Sequence, residues 1–529
     1  MSQTIQIQAD WAQTDSTQID FIKNKPVFYE EWWGTQAEYD AILVKDPDII
    51  YNIIYEEPQV DYFYVEDISG SDNTLSITKS DATAPTVEVF KSTDGTNWTS
   101  MGNTDTAPIT ATIPANSKLY LKATANAWAN GDTKYNHITA TGNNNVGGNA
   151  MSLLYGDNFE NQTTFPAGST WCLGSILRSN TTLVSASNLK LPATTLVQRC
   201  YQWMFDGCTS LTTVPSNLLP ATTLANICYA HMFSGCTSLT TAPVLNATTL
   251  TPNCYNAMFY GCTSLTTAPV LPATTLTQNC YTDMFKGCTS LATAPALPAE
   301  TLASGCYANM FYGCTSLTTA PVLNATTLTS SCYQNMFKDC TSLTAVPTLP
   351  ATTLAGSCYK AMFQGCTSLV TVPADLLPVT TLTDSCYQDM FSGCTSLTNT
   401  PTLNATTLTN NCYRGMFWTC TSLTTAPALP ATTLATNCYY SMFQYCTGLT
   451  TAPVLPATTL VDYCYRTMFE YCSNLNNVTV YADDISAENC TYKWLHNVSG
   501  TGDFYNLGSA TYTTGESGIP SGWTEHTTL

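Results

Sequence analysis

The chain has 529 residues and a formal net charge of −20, with only 10% of its residues charged, against about 25% in an average globular protein. That acidity excludes a nucleic-acid binder, since phosphate recognition needs clustered Lys and Arg, and it argues equally against docking on an anionic membrane. No run of about 18 apolar residues exists, so no membrane insertion is predicted. The opening M-S-Q-T-I-Q-I-Q-A-D-W has neither a basic start nor an apolar core and does not read as a secretory signal. Synthesis in a cytoplasm is therefore expected, where the 24 cysteines would stay reduced.

Residues 1–58 are rich in aromatics set among polar residues without helical or strand periodicity: Trp11, Phe21, Phe28, Tyr29, Trp32 and Trp33. Two readings stand, a small N-terminal subdomain or an extended anchoring segment whose aromatics dock on another protein, and the second is preferred. A short helix is predicted over Gln36 to Val44, ended by Lys45-Asp46-Pro47-Asp48, and a strand over Ile49 to Tyr55. Residues 59–150 read as a β-sandwich-like domain. Alternating runs at Thr86 to Phe90 and Lys118 to Lys122 are separated by turn signals at Asp94-Gly95, Met101-Gly102 and Asn130-Gly131. The tract Gly142 to Gly148 is predicted to mark its exit.

From there the chain is organised by one unit, C-Y-x-x-M-F-x-x-C-T-x-L, which occurs ten times from Cys200 to Cys438, with a degraded eleventh copy at Cys464. Starts are 26 residues apart, apart from two steps of 28 that insert Ser216-Asn217 and Ala374-Asp375 at the same loop. A fixed period of this size predicts a solenoid in which each unit buries its apolar face against its neighbours. Residues 200–489 form the eleven-unit array. Residues 151–199 are its N-terminal cap, with Cys172 opening an atypical unit, and 490–529 are its C-terminal cap and tail, with Trp494 and Leu495 where Met and Phe stood.

Within a unit, Cys280, Met284, Phe285 and Cys288 have offsets 0, 4, 5 and 8, one face of a helix, with Gly287 as its left-handed C-terminal residue. Leu291 to Ala294 then read as a short strand closed by Pro295 and Pro298. The fold class expected is an α/β repeat solenoid of helix plus short strand. Because strands stack at about 4.8 Å and helices at about 10 Å, such an array should curve. Cysteines eight apart on one helix are about 12 Å apart, too far for a disulfide. Without C-x-x-C spacing and with four histidines in the chain, a metal reading is disfavoured. Buried free thiols are the leading reading, with disulfides between units as the alternative.

No nucleophile elbow, phosphate loop, zinc-binding helix or dinucleotide fingerprint is present, and no cofactor is implied. Asp483-Asp484, the one adjacent acid pair of the C-terminal cap, reads as solvated turn residues. Positions that vary between units should face solvent, and aromatics collect there: Trp203, Tyr260, Tyr312, Trp418 and Tyr440. Tyr445 and Tyr471 replace the Gly before the second Cys in the last units. Such a row suits sugar stacking or a protein contact; the plainer reading is packing against a neighbouring subunit or the caps.

The pattern M-F-x-G-C-T-S-L-T-T-A-P resembles the BspA-like branch of leucine-rich repeats over about residues 172–500. It departs from that branch in its longer period, its extra leading Cys and its Pro-rich strand exit. At the front, Ala9-Asp10-Trp11-Ala12-Gln13-Thr14-Asp15-Ser16-Thr17, followed by Asp20-Phe21-Ile22-Lys23-Asn24-Lys25-Pro26, is similar to a short motif of phage fibre and tail-appendage proteins. Glu38-Tyr39-Asp40-Ala41 with Lys45-Asp46-Pro47 and Ile50-Tyr51 resembles a phage-fibre segment. Gly518 to Trp523 (G-I-P-S-G-W) resembles the terminus of BspA-like proteins of phages of gut bacteria. The resemblance implies a virion fibre or appendage protein, made in the host cytoplasm and exposed outside. Residues 1–58 would anchor it to other virion proteins, and the repeats would bind a host-surface glycan or protein, as a homo-oligomer for which fibre analogy suggests a trimer. The alternatives are a bacterial surface or secreted adhesin of the same repeat family and, with less support, a polysaccharide depolymerase, which would need paired carboxylates.

Overall fold

A computed structural model describes residues 4–7, 30–34, 40, 49–54, 61–105 and 108–529. The chain divides into two compact units, Met1–Asp61 and Tyr62–Leu529. In the first, β1 (Thr4–Ile7), β2 (Glu30–Gly34) and β3 (Ile49–Ile54) form one sheet in the order β1-β3-β2. The Ile49–Ile54 run expected as a strand takes the centre, antiparallel to β1 and parallel to β2. These paired strands give the stretch a sheet of its own, where the sequence favoured an extended segment. The helix predicted over Gln36 to Val44 lies outside the described residues except for Asp40, which is helical.

The second unit opens with nine strands: β4 (Tyr64–Asp67), β5 (Asn73–Lys79), β6 (Glu88–Ser92), β7 (Thr99–Asn103), β8 (Ile109–Ile113), β9 (Lys118–Ala123), β10 (Ala129–Gly131), β11 (Lys134–Ala140) and β12 (Asn144–Asn149). They make a four-stranded sheet, β10-β11-β5-β8, and, with β13 (Leu183–Lys190), a six-stranded one, β13-β12-β4-β9-β6-β7. Inward positions alternate as the strand period requires: Leu75 and Ile77 on one sheet, Leu119 and Leu121 on the other, all fully buried. Three turn-like tracts turn out to be strand, Asn130-Gly131 as the end of β10. Met101-Gly102 sits at a bulge of β7 opposite Val89 and Phe90. The Gly142 to Gly148 tract is no exit but holds β12, which pairs antiparallel with β4 and parallel with β13. Its glycines are there for space: a Cβ at Gly147 would strike the Tyr64 ring, and one at Gly148 the Tyr62 carbonyl.

After a one-turn helix α1 (Ser152–Tyr155), the repeats begin, and they correct the predicted helix-plus-strand unit. From Cys200 through Cys490 no α-helix or 3-10 helix occurs; the stretch from the residue before each first Cys to the second Cys is a chain of turns. In the Cys280 coil the amides of Thr282, Met284, Lys286 and Cys288 donate three residues back, to Asn279, Tyr281, Asp283 and Phe285. The intervening amides of Tyr281, Asp283, Phe285 and Gly287 donate to Cys306, Ala308, Met310 and Tyr312 of the next coil at 2.7–3.0 Å. Half the backbone groups thus close local turns and half tie coil to coil, which satisfies them without a helix. The geometry needs a left-handed residue every fourth position, as the third position of a type II turn does: Asn279 (φ 52), Asp283 (φ 56) and Gly287 (φ 76). Gly287 therefore has the left-handed conformation expected of it, but in a turn rather than at a helix end.

A period of four places offsets 0, 1, 4, 5 and 8 inward and 2, 3, 6 and 7 outward, as the burial of Cys280, Tyr281, Met284, Phe285 and Cys288 shows. The predicted strand of Leu291 to Ala294 shrinks to a single parallel bridge, Thr293 to Thr319, and a second bridge forms at the A-T-T-L position, as in Thr275 to Thr301. Both flanks of a coil are hydrogen-bonded directly to the next coil, so the spacing mismatch that predicted curvature is absent. Identical side chains stack in register. Adjacent Tyr rings of the Tyr201–Tyr229–Tyr255 column lie 5.7–5.8 Å apart, and Phe205–Phe233–Phe259 rings 5.2–5.5 Å, all nearly parallel. All 24 cysteines are free and buried. Each 28-residue step closes its two extra residues in one turn, Leu218 amide to Pro215 carbonyl and Leu376 amide to Pro373 carbonyl, both 3.2 Å.

The ends of the array are paired. The Trp128 and Ile138 amides donate to Cys172 and Ile176 on the near side of the first coil. At the far end, β14 (Asn477–Val480), β15 (Gly502–Asn506) and β16 (Trp523–His526) form a parallel sheet. Buried Trp494 donates its indole N–H to the Gly518 carbonyl at 2.9 Å and packs against Phe504 and Tyr512.

Candidate functional site

Alternation within the turn chain makes one long outward side from offsets 2, 3, 6 and 7 of successive coils. Every Lys and Arg from Cys280 to the end of the array (Lys286, Lys338, Lys360, Arg414, Arg466 and Lys493) stands at offset 2, 3 or 6. They meet the predicted aromatics. Lys286 Nζ, held by Asp283 at 3.3 Å, lies 5.6 Å from the Tyr260 ring and 5.0 Å from the Tyr312 ring, and Lys338 lies 5.2 Å from Tyr312 on its other side. Tyr440 lies between Arg414 (4.8 Å) and Arg466 (5.7 Å). Trp203 carries Arg178 at 4.7 Å and meets Trp171 and His231. These four rings are engaged along the solenoid by cations of adjoining coils, contacts worth about 0.5–1 kcal/mol each at exposed sites.

Three other predicted aromatics differ. Trp418, Tyr445 and Tyr471 are 40%, 37% and 37% exposed, and among the described residues no cation stands over their rings. Tyr445 and Tyr471 stack on each other at 4.5 Å and 5°, closer than any other ring pair of the array. Both have left-handed backbones, φ 64 and 62, where Gly261 and Gly287 stand in other coils. For a bulky side chain that conformation costs about 1–2 kcal/mol. Beside them at offset 6 runs a polar row missed in the sequence. Gln444 donates its amide to Glu470 at 2.5 Å, and His496 Nδ1 lies 3.3 Å from the other Glu470 oxygen. Partial desolvation, with Tyr471 and Glu470 beside it, raises the Tyr445 phenol above its ordinary range, so it remains a neutral donor. The aligned row of Gln444, Glu470 and His496, each 26 residues from the next, was the available signal.

Of the predicted N-terminal aromatics, Trp32 and Trp33 lie on β2, in register with Tyr51 and Asn52; Trp11, Phe21, Phe28 and Tyr29 lie outside the described residues. Asp483 accepts the Ser509 amide and hydroxyl, and Asp484 the Ser486 amide. Both carboxyls brace loops, and those bonds lower their pKa values. Among the described residues, no group of three His, Cys, Asp or Glu could hold a metal ion, and no helix is long and apolar enough to cross a membrane.

Residues 180–318, 255–390 and 383–499 match the BspA type leucine rich repeat region, six copies in all, and together these matches cover more than half of the chain. The chain belongs to the BspA-type leucine-rich-repeat family. Residues 32–54, from Trp32 of β2 to the end of β3, match the phage tail tip domain. This BspA-type protein is therefore of phage tail type, and both matched families are structural or adhesin-type rather than enzymatic. No curated protein and no solved structure matches it.

Proposed function

We propose that this BspA-type repeat protein is a virion fibre or tail-appendage protein, attached to other virion proteins through its N-terminal residues and presenting its solenoid to the host surface. The observation that carries this reading is the pairing of two matches in one chain, a phage tail tip domain at 32–54 and repeats at 180–499. Physical chemistry supports the division of labour. Coils joined by backbone hydrogen bonds and stacked rings form a display surface in which each outward side chain recurs at coil spacing. Homo-oligomerisation, with a trimer as one form, belongs to the same proposal. The adhesin reading shares the repeats but leaves the tail-tip match unexplained. A depolymerase would need two facing carboxylates, whereas Asp483 and Asp484 are each spent on loop bonds.

The test compares particle binding by the full-length chain and by a chain lacking residues 1–61, each mixed with virions stripped of the native protein. Recovery of only the full-length chain with particles is expected. Recovery of neither places the protein outside the virion and moves the adhesin to first place.

A further inference from the structure

We propose that the outward side of the Cys412, Cys438 and Cys464 coils is a carbohydrate platform, on which Tyr445, Tyr471 and Trp418 stack the sugar rings of an uncharged glycan and the Gln444–Glu470–His496 row bonds its hydroxyls. The inference rests on the attachment reading above and narrows it to one end of the array and one ligand chemistry.

Four observations converge there. The first is exposure: of the five exposed aromatic side chains among the described residues, Trp418, Tyr445 and Tyr471 fall in three consecutive coils of one outward side. The second is accessibility of the rings, since the cations that cover Tyr260, Tyr312 and Tyr440 have no counterpart over these three among the described residues. The third is strain. Left-handed non-glycine residues run through the whole array, but at this one offset two successive coils carry tyrosine where the Cys254 and Cys280 coils carry glycine, adding two rings to the outward side at the cost of that conformation. The fourth is the flank: amide, carboxylate and imidazole linked at 2.5 and 3.3 Å form a short row of donors and acceptors beside an apolar surface, the composition of a small-molecule site.

The charge of the site selects the glycan. Glu470 is buried and is the carboxylate of the flank, and Arg466 stands over the Tyr440 and Tyr492 rings, at 5.7 and 5.0 Å. A uronate or phosphate would meet this carboxylate with only Lys493, within range of its field, and His496, 3.3 Å away, to offset it, and among the described residues with no cation over the platform rings themselves. A neutral sugar presents apolar C–H faces to the rings and hydroxyls to the half-buried Gln444 and His496, which the buried Glu470 holds in place.

The test is affinity electrophoresis of the full-length chain through gels containing dextran, galactan, mannan or polygalacturonate, with the Tyr445→Gly/Tyr471→Gly variant alongside. Glycine suits the left-handed position, so this variant keeps the coil and removes the rings; its thermal midpoint, measured in parallel, should not fall. Retardation by at least one neutral polymer, weakened about tenfold or more in the variant, is the expected result. The proposal is overturned if no neutral polymer retards the chain, if the folded variant is retarded equally, or if polygalacturonate binds as tightly as the neutral polymers. Adsorption to host cells separates the two claims. Equal adsorption by chain and variant removes the platform and leaves attachment standing, whereas polymer binding without cell adsorption removes attachment and leaves the platform.

Discussion

The Phe233 carbonyl oxygen accepts two bonds, the Cys236 amide of its own coil at 3.1 Å and the Cys262 thiol of the next coil at 3.1 Å. The same pairing recurs with Cys288 on Phe259, Cys314 on Phe285 and Cys340 on Phe311. The second cysteine of each unit is thus a donor that reaches back one coil, not only a small apolar filler. Cys262→Ala should lower stability by about 1–2 kcal/mol through the lost bond and the space left behind, read as a lower urea midpoint. An unchanged midpoint would reduce the thiol to filler.

Free buried thiols make a counting prediction. A thiol reagent at neutral pH should modify almost none of the 24 cysteines in the native chain and all of them after denaturation, and a reductant should leave the thermal midpoint unchanged. Fewer titratable thiols in the denatured chain would reveal disulfides between coils.

Alkali should dissolve the array. Burial pushes the Cys280 thiol up to about 11 and the Cys288 thiol up to about 12, from an ordinary value of 9.0. A folded pKa above the unfolded one means the stabilisation is fully present below about pH 9 and is lost as pH rises through 11–12. Each thiol contributes a slope of about 1.4 kcal/mol per pH unit in that window. Unfolding followed by circular dichroism should be insensitive to pH between 6 and 8 and become steeply easier above 9. A flat profile to pH 11 would contradict the buried ladder.

The left-handed row gives a paired substitution. Gly287→Val forces a β-branched residue to φ 76 and should cost about 2 kcal/mol or more. The Cβ itself would meet Gly261 only at an ordinary 3.6 Å, so backbone strain is the cause. An unchanged urea midpoint for Gly287→Val would instead mean that the left-handed conformation at this position carries no strain for a residue with a Cβ.

Much of the architecture was legible because it depends on period alone. The 26-residue repeat announces a solenoid, and alternation announces strands such as β6 and β9. The local unit was misread because offsets 0, 4, 5 and 8 fit a 3.6-residue helix and a four-residue turn chain equally over nine residues. The deciding signal lay in the gaps: Asn253, Asn279, Asp283, Asn335 and Asp389 stand where left-handed backbone is needed, and Asn, Asp and Gly tolerate it best. The same signal marks Tyr445 and Tyr471 as exceptions, which is why part of the candidate site was visible in sequence. That Lys286 would stand between Tyr260 and Tyr312, with Lys338 on the other side of Tyr312, was not legible, since it needs the true coil spacing and the outward direction of offset 6.

Host attachment through the solenoid is the central claim, and competition for adsorption tests it most directly. Host cells are preincubated with the purified full-length chain, and the adsorption rate of the phage that carries it is then measured. The account predicts a dose-dependent fall in adsorption, also produced by the chain lacking residues 1–61. Unchanged adsorption at saturating protein, with no chain retained on the cells, would contradict it.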